Sequence, residues 1–138
     1  MGGPPELGTR TGPFSLAGLK RLYGIEFKSF RPLDVAGPLT VSALKSGKID
    51  CANLFSTQSA IPVNGFVTLS DPKGSAQDET VVPLIAKGAA APRVVAALDA
   101  VSAKLTTDDL KAMVKRVEID KDDPDAVAED FLEQTGLN

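Results

Sequence analysis

Apolar and polar positions along this chain change spacing several times, and each change marks an element. Between Gly2 and Pro13 glycine and proline dominate, which predicts extended or looped chain. From Leu16 the spacing turns helical: Leu16, Leu19 and Tyr23 share one face, and Gly24 supplies the stop. Ile25-Glu26-Phe27-Lys28 then alternates apolar and polar, a strand signature running towards Phe30. Pro38, preceded by Gly37, suits the first turn of a helix that reaches Ser46 and ends at Gly47. Cys51 to Phe55 reads as a short buried strand, Ser59 to Val63 as a helical turn, and Phe66 to Leu69 as another strand. This alternation favours an α/β sheet with crossover helices.

Asp71 to Glu79 is polar and predicts a loop. Thr80 to Ile85 has strand character, but Pro83 removes a ladder donor, so an edge strand or a crossing between lobes fits better than a sheet centre. The last third is helical throughout. Val94, Leu98, Val101 and Leu105 share a face, as do Leu110, Met113, Val114 and Val117. Thr106 with Asp109 makes a capping-box-like start. Asp123-Pro124 opens a final helix that buries Val127, Phe131 and Leu132. No internal repeat or low-complexity tract interrupts the pattern.

Composition narrows the function. The chain has 138 residues with 43% hydrophobic content, enough for one compact core. Fifteen basic against 18 acidic residues leave a net charge of −3, which argues against a nucleic-acid partner. No apolar run approaches the roughly 20 residues that span a bilayer, and no signal peptide is visible at Met1 to Pro5. Histidine is absent, and Cys51 stands alone in an apolar run, where a buried inert thiol is the expectation. No acidic cluster has metal-ligand spacing. The run from Asp120 to Asp125 lacks the glycine and distal glutamate of a calcium loop. No cofactor is expected.

Several segments carry a resemblance: Gly2-Gly3-Pro4-Pro5-Glu6, Gly18 through Lys28, Pro32-Leu33-Asp34, Ala43 through Asp50, Phe55-Ser56-Thr57, and Leu105 through Leu110. In order and spacing they resemble the extracytoplasmic binding proteins for glycine betaine, choline and related osmoprotectants, the soluble receptors of ABC importers. The resemblance implies an α/β fold, one lobe of a type II periplasmic-binding-protein-like clam, followed by C-terminal helices. Residues 1–86 would form the ligand-binding lobe with both crossing segments, Gly2 to Glu6 and Val81 to Ile85. Residues 87–138 would be helices that normally pack on the other lobe, so the chain reads as a truncated or reduced form. Uncovered helix faces imply self-association. The implied partners are a small solute and ABC permease subunits. Membrane association would come only through the transporter or an absent lipid anchor, and the location would be extracytoplasmic.

In open α/β sheets ligands sit beyond the carboxyl ends of the strands. That rule singles out Glu6, Asp34, Ser56, Thr57, Gln58, Glu79 and Thr80. Ser56 and Thr57 could offer converging hydroxyls to a ligand or merely cap the helical turn at Ser59. The chain departs from its look-alikes in aromatics and cations. Where betaine-binding relatives carry tyrosines near the return crossing, it has Glu79 and Thr80; where some carry an arginine, it has Ala60. Its one tyrosine, Tyr23, falls on an apolar helix face. The ligand is therefore either a betaine-like cation, caged by aromatics from elsewhere, or a more polar solute such as a polyol. A structural or interaction domain touching a permease is the alternative function. An enzyme built on Glu6, Asp34 and Glu79 is a distant third.

Overall fold

Parallel pairing at the amino terminus positions the whole first half of the chain. In the computed structural model, which describes residues 1–76 and 79–137, strand β1 (Gly2–Gly3) pairs in parallel with β2 (Arg31–Pro32), Gly2 opposite Arg31 and Gly3 opposite Pro32. On its other side Gly2 forms a parallel bridge with Ala52. The Gly2 N–H donates to the Cys51 carbonyl at 2.8 Å, and the Gly2 carbonyl accepts from Asn53 at 3.1 Å. Met1 and Gly3 carbonyls accept from Arg31 and Leu33 at 2.9 and 2.8 Å. Gly2 thus has neighbours on both edges. A Cβ there would stand 2.7 Å from Ile49 Cδ1 and 2.8 Å from Leu33 Cδ1, so the missing side chain is what lets those residues pack across the strand.

Two compact units are present, residues 1–56 with 60–78, and residues 57–59 with 79–138. In the first, parallel strands require crossovers. The first crossover carries α1 (Glu6–Thr9) and α2 (Leu16–Tyr23), and the second carries α3 (Pro38–Lys45). Leu7, Ala36, Ala43 and Ile49 form its buried apolar centre. Helix α2 begins at Ser15, whose hydroxyl accepts from the Gly18 N–H at 2.9 Å and donates to the Gly12 carbonyl at 2.7 Å. It ends at Gly24, in the left-handed region at φ 70°. Helix α3 closes in a Schellman turn: Gly47, at φ 68°, donates to the Leu44 carbonyl, and Lys48 to that of Ala43. A short turn, α4 (Ala60–Val63), follows.

The expected strand at Ile25 to Phe30 is absent. The ladder is moved on to Arg31–Pro32 and is only two residues long. Pro4 and Pro5 explain the length: neither has an N–H to donate, so β1 cannot extend past Gly3. The expected strand from Cys51 to Phe55 is reduced to the Ala52 bridge, and Cys51 is a half-buried free thiol. No strand forms at Phe66 to Leu69 or Thr80 to Ile85, where Val67 is 84%, Leu69 76% and Leu84 98% exposed. Of the polar loop expected from Asp71 to Glu79, residues 77 and 78 lie outside the described residues.

In the second unit a 3₁₀ turn (Lys87–Ala89) precedes α5 (Pro92–Lys104), α6 (Thr107–Lys115), a π turn (Arg116–Asp120) and α7 (Pro124–Thr135). The expected caps are present. Thr106 Oγ1 accepts from Asp109 N–H at 3.2 Å while Asp109 Oδ2 accepts from Thr106 N–H at 3.0 Å. Asp123 Oδ1 accepts from the N–H groups of Asp125 and Ala126. Val94, Leu98, Val101 and Leu105 are half-buried along one stripe of α5 and the residue after it. Among the described apolar residues of this unit only Val127 is fully buried. Arg116 reaches Asp122 and Asp130, each at 2.8 Å, and so ties the π turn to α7. Arg116→Gln is expected to lower the melting temperature followed by circular dichroism, by less in 1 M NaCl than at low salt. An unchanged melting temperature at low salt would show that the clamp is only decoration.

Candidate functional site

Because the three backbone segments run parallel, the chain leaves all of them by the same edge. After Gly3 comes Pro4-Pro5-Glu6, after Pro32 comes Leu33-Asp34, and after Ala52 comes the run to Ser56. Glu6, Asp34 and Ser56 therefore lie within four residues of the carboxyl edge of one sheet. Glu6 opens α1 and is exposed, with its backbone carbonyl accepting from Arg10 at 2.8 Å.

Asp34 is engaged locally. Its Oδ1 accepts from the Thr40 N–H at 2.9 Å and the Thr40 hydroxyl at 2.7 Å, and its Oδ2 from the Leu39 N–H at 3.0 Å. The carboxylate thus satisfies the orphan amides at the start of α3, a task that the helix's own N-cap, Gly37, cannot perform. Gly37 is glycine because a Cβ there would fall 2.3 Å from Asp34 Oδ2. The Thr40 hydroxyl, backed by the Leu39 and Thr40 amides, holds the Asp34 carboxyl below the usual carboxylate range, against a smaller opposing effect of desolvation. Asp34 fixes the turn at the sheet edge.

Ser56 is exposed, and Thr57 and Gln58, next in the chain, are half-buried within the second unit. Neither the Ser56 nor the Thr57 hydroxyl takes part in a hydrogen bond among the described residues, so helix capping does not occupy them. Ser59 behaves differently: it is buried, and its hydroxyl donates to the Glu118 carboxylate. Glu79 and Thr80 are exposed residues of the second unit, outside any regular element.

Phe55 was not among the expected contacts, because an apolar run bounded by turn residues reads as buried strand. It is 46% exposed beside Ser56. Tyr23 is half-buried and committed elsewhere. Its hydroxyl donates to the Asp71 carboxylate and accepts from the Lys73 N–H at 2.7 Å, and the Lys73 ammonium lies 5.3 Å from the ring centroid. Partial desolvation and the Asp71 carboxylate push the phenol above its ordinary pKa. The Tyr23 hydroxyl, with the 75 and 76 backbone and the Ser75 hydroxyl, holds Asp71 far below the carboxylate range. Among the described residues no group of His, Cys, Asp and Glu is placed to hold a metal ion.

Two hollows lie elsewhere in the first unit. One, of about 260 Å³, runs along Leu16, Lys20, Phe27 and Phe30, with a Lys20–Glu26 ion pair at 2.9 Å on its rim. The other, of about 270 Å³, lies between β2 and α3.

A family described as the substrate binding domain of ABC-type glycine betaine transport system matches residues 2–134. A protein of Helicobacter pylori (strain G27), described as an ergothioneine transport permease/ergothioneine binding protein, is 28% identical over 122 residues. The match covers 87% of this chain and 22% of that protein, so the chain spans about a fifth of that relative's length.

Proposed function

Because the chain belongs to the family of substrate-binding domains of ABC-type glycine betaine transport systems, we propose that it receives a small zwitterionic solute for an importer. Family members are extracytoplasmic binding components with a periplasmic-binding-protein-like fold, and the mixed helices and small parallel sheet are consistent with that fold. No helix among the described residues is long and apolar enough to cross a membrane. The solute would be held without chemical change, at the carboxyl edge of the sheet, on the outer side of a membrane and in contact with permease subunits. The observation that carries this reading is the parallel order that delivers Glu6, Asp34 and Ser56 to one edge.

The chemistry of the solute follows from the two ligands named by the comparisons. Glycine betaine and ergothioneine share a trimethylammonium group beside a carboxylate. A quaternary ammonium offers no N–H, so it is held by aromatic faces and by carboxylates that need no directed hydrogen bond. Phe55 and Glu6 are the groups of that kind at this edge. A ligand carboxylate needs donors, and the exposed Ser56 hydroxyl is one at this edge. Asp34 shapes the turn that borders the site. Thr57, Gln58, Glu79 and Thr80, all residues of the second unit, join the proposed set on sequence position alone. Association between copies through α5 to α7 is a companion proposal that rests on the sequence pattern alone.

The test is an NMR titration of the ¹⁵N-labelled chain with glycine betaine, choline, ergothioneine and sorbitol. Saturable shifts confined to Glu6 and residues 53–56 are expected from the betaines, with a Kd on the order of 1 mM for a shallow site. Ser56→Ala and Phe55→Ala should each weaken it. Shifts with sorbitol alone would replace the zwitterion by a polyol, and silence from all four would overturn the reading. Silence would favour the second reading, an interaction domain, which the exposed Val67, Leu69 and Leu84 support.

A further inference from the structure

The hollow between β2 and α3 is built differently from the sheet edge. Its apolar lining is Leu33, the largely exposed Leu39 and Ala43, and its polar lining is Arg31, Ser42 and Lys48. Both cations are presented from fixed backbone. Arg31 is the first residue of β2, with its N–H on the Met1 carbonyl at 2.9 Å. Lys48 sits in the Schellman turn, with its N–H on the Ala43 carbonyl at 2.9 Å. Leu39, Ser42 and Ala43 share one face of α3 by their spacing.

Neither Arg31 nor Lys48 belongs to any of the five ion pairs among the described residues, although acidic side chains outnumber basic ones in this chain. Two uncompensated cations beside an apolar lining match an occupant with a negative end and an apolar body. A guanidinium presents a fork that fits a carboxylate bidentately, and an ammonium adds a point charge. At about 270 Å³ the hollow falls just under the ~300–1,000 Å³ of pockets for drug-sized ligands, so the occupant is small. A quaternary ammonium is excluded by the same two charges.

We infer that the hollow between β2 and α3 is a second binding site, for a small carboxylate with a short branched or linear apolar body. The carboxylate lies between Arg31 and Lys48 with the Ser42 hydroxyl as a further donor, and the body covers Leu33, Leu39 and Ala43. The site shares none of Glu6, Phe55 and Ser56 with the proposed solute site, although Leu33 adjoins Asp34, and it does not depend on the importer reading.

The test uses the whole ¹⁵N-labelled chain and four probes: 3-methylbutanoate, 3-methylbutan-1-ol, acetate and N-acetyl-leucine. Saturable shifts at Arg31, Ser42 and Lys48 are expected with 3-methylbutanoate, weaker ones with acetate, and none with the alcohol. Arg31→Gln and Lys48→Gln should each weaken binding roughly threefold to tenfold. Both variants should keep the wild-type spectrum outside residues 29–49, which separates lost binding from lost fold. Tighter binding of N-acetyl-leucine than of the free acid identifies a peptide carboxyl terminus as the source, and equal or weaker binding identifies a free acid. Absence of saturable shifts with both acids, equal response to the alcohol, or undiminished binding in both variants would overturn the assignment.

Discussion

Gly18→Ala is expected to destabilise the chain by about 2–4 kcal/mol, although alanine is the better helix former by about 1 kcal/mol. The reason is backbone, not side chain. A Cβ on Gly18 would lie 2.0 Å from the Pro13 carbonyl oxygen and 2.3 Å from that of Gly12. The Gly12 carbonyl is held in place, because the Ser15 hydroxyl joins it to the Gly18 N–H and Ser15 is completely buried, and the Pro13 carbonyl belongs to the next peptide of the same loop. The substitution therefore forces a choice between helix start and loop, and losing the cap accounts for about 1 kcal/mol of the total. For a chain of this size the melting temperature should fall roughly 6–15 °C. A thermal melt at 222 nm reads this directly. An alanine variant as stable as the parent would mean that the loop at residues 12–13 does not lie over the helix.

The second large effect concerns Thr40, which is wholly buried. Thr40→Val keeps the shape but removes the hydroxyl that bonds the Asp34 carboxylate, at an expected loss of about 1.5–3 kcal/mol. The same interaction gives stability a pH dependence. Asp34 is held below its unfolded value in the folded chain, chiefly by the Thr40 hydroxyl, so the folded state binds fewer protons than the unfolded one in that range. Its contribution is complete above the unfolded carboxylate pKa of about 3.9 and disappears as pH falls through the folded value. Asp71, depressed chiefly by the Tyr23 hydroxyl, acts with the same sign. Urea midpoints measured from pH 7 downwards should drop steeply below about pH 4. Asp34→Asn should be less stable at neutral pH and show a flatter acid limb. Parallel curves for parent and variant would remove Asp34 from the account.

Helices were legible in the sequence because their signals are local. Gly24 ends α2, Thr106 and Asp109 open α6, and Asp123-Pro124 opens α7, each settled by groups within a turn or two of one another, whereas the Ser15 cap of α2 went unread. Strands failed for the opposite reason. Ile25 to Lys28 alternates and Phe66 to Leu69 and Thr80 to Ile85 have strand-like composition, but a strand exists only beside a partner, and Pro4-Pro5 cut the available partner to two residues. At the candidate site, the carboxyl-edge rule led to Glu6, Asp34 and Ser56 without any knowledge of register. The capping task of Asp34 was hidden because it depends on Thr40 six residues away and on a glycine that leaves room. One signal was available: an acidic residue shortly before Gly37-Pro38, where a helix start lacks a side-chain cap of its own. The exposure of Phe55 was not readable, since its run has the composition of buried strand.

The bond between the Tyr23 phenol and Asp71 has a practical consequence. The chain has one tyrosine and no tryptophan, so emission excited to the red of phenylalanine absorption originates at a single ring. A carboxylate that accepts the phenolic proton dims that emission, and release of Asp71 brightens it. Docking of the turn at residues 71–76 against α2 can thus be followed by light alone, with no label attached.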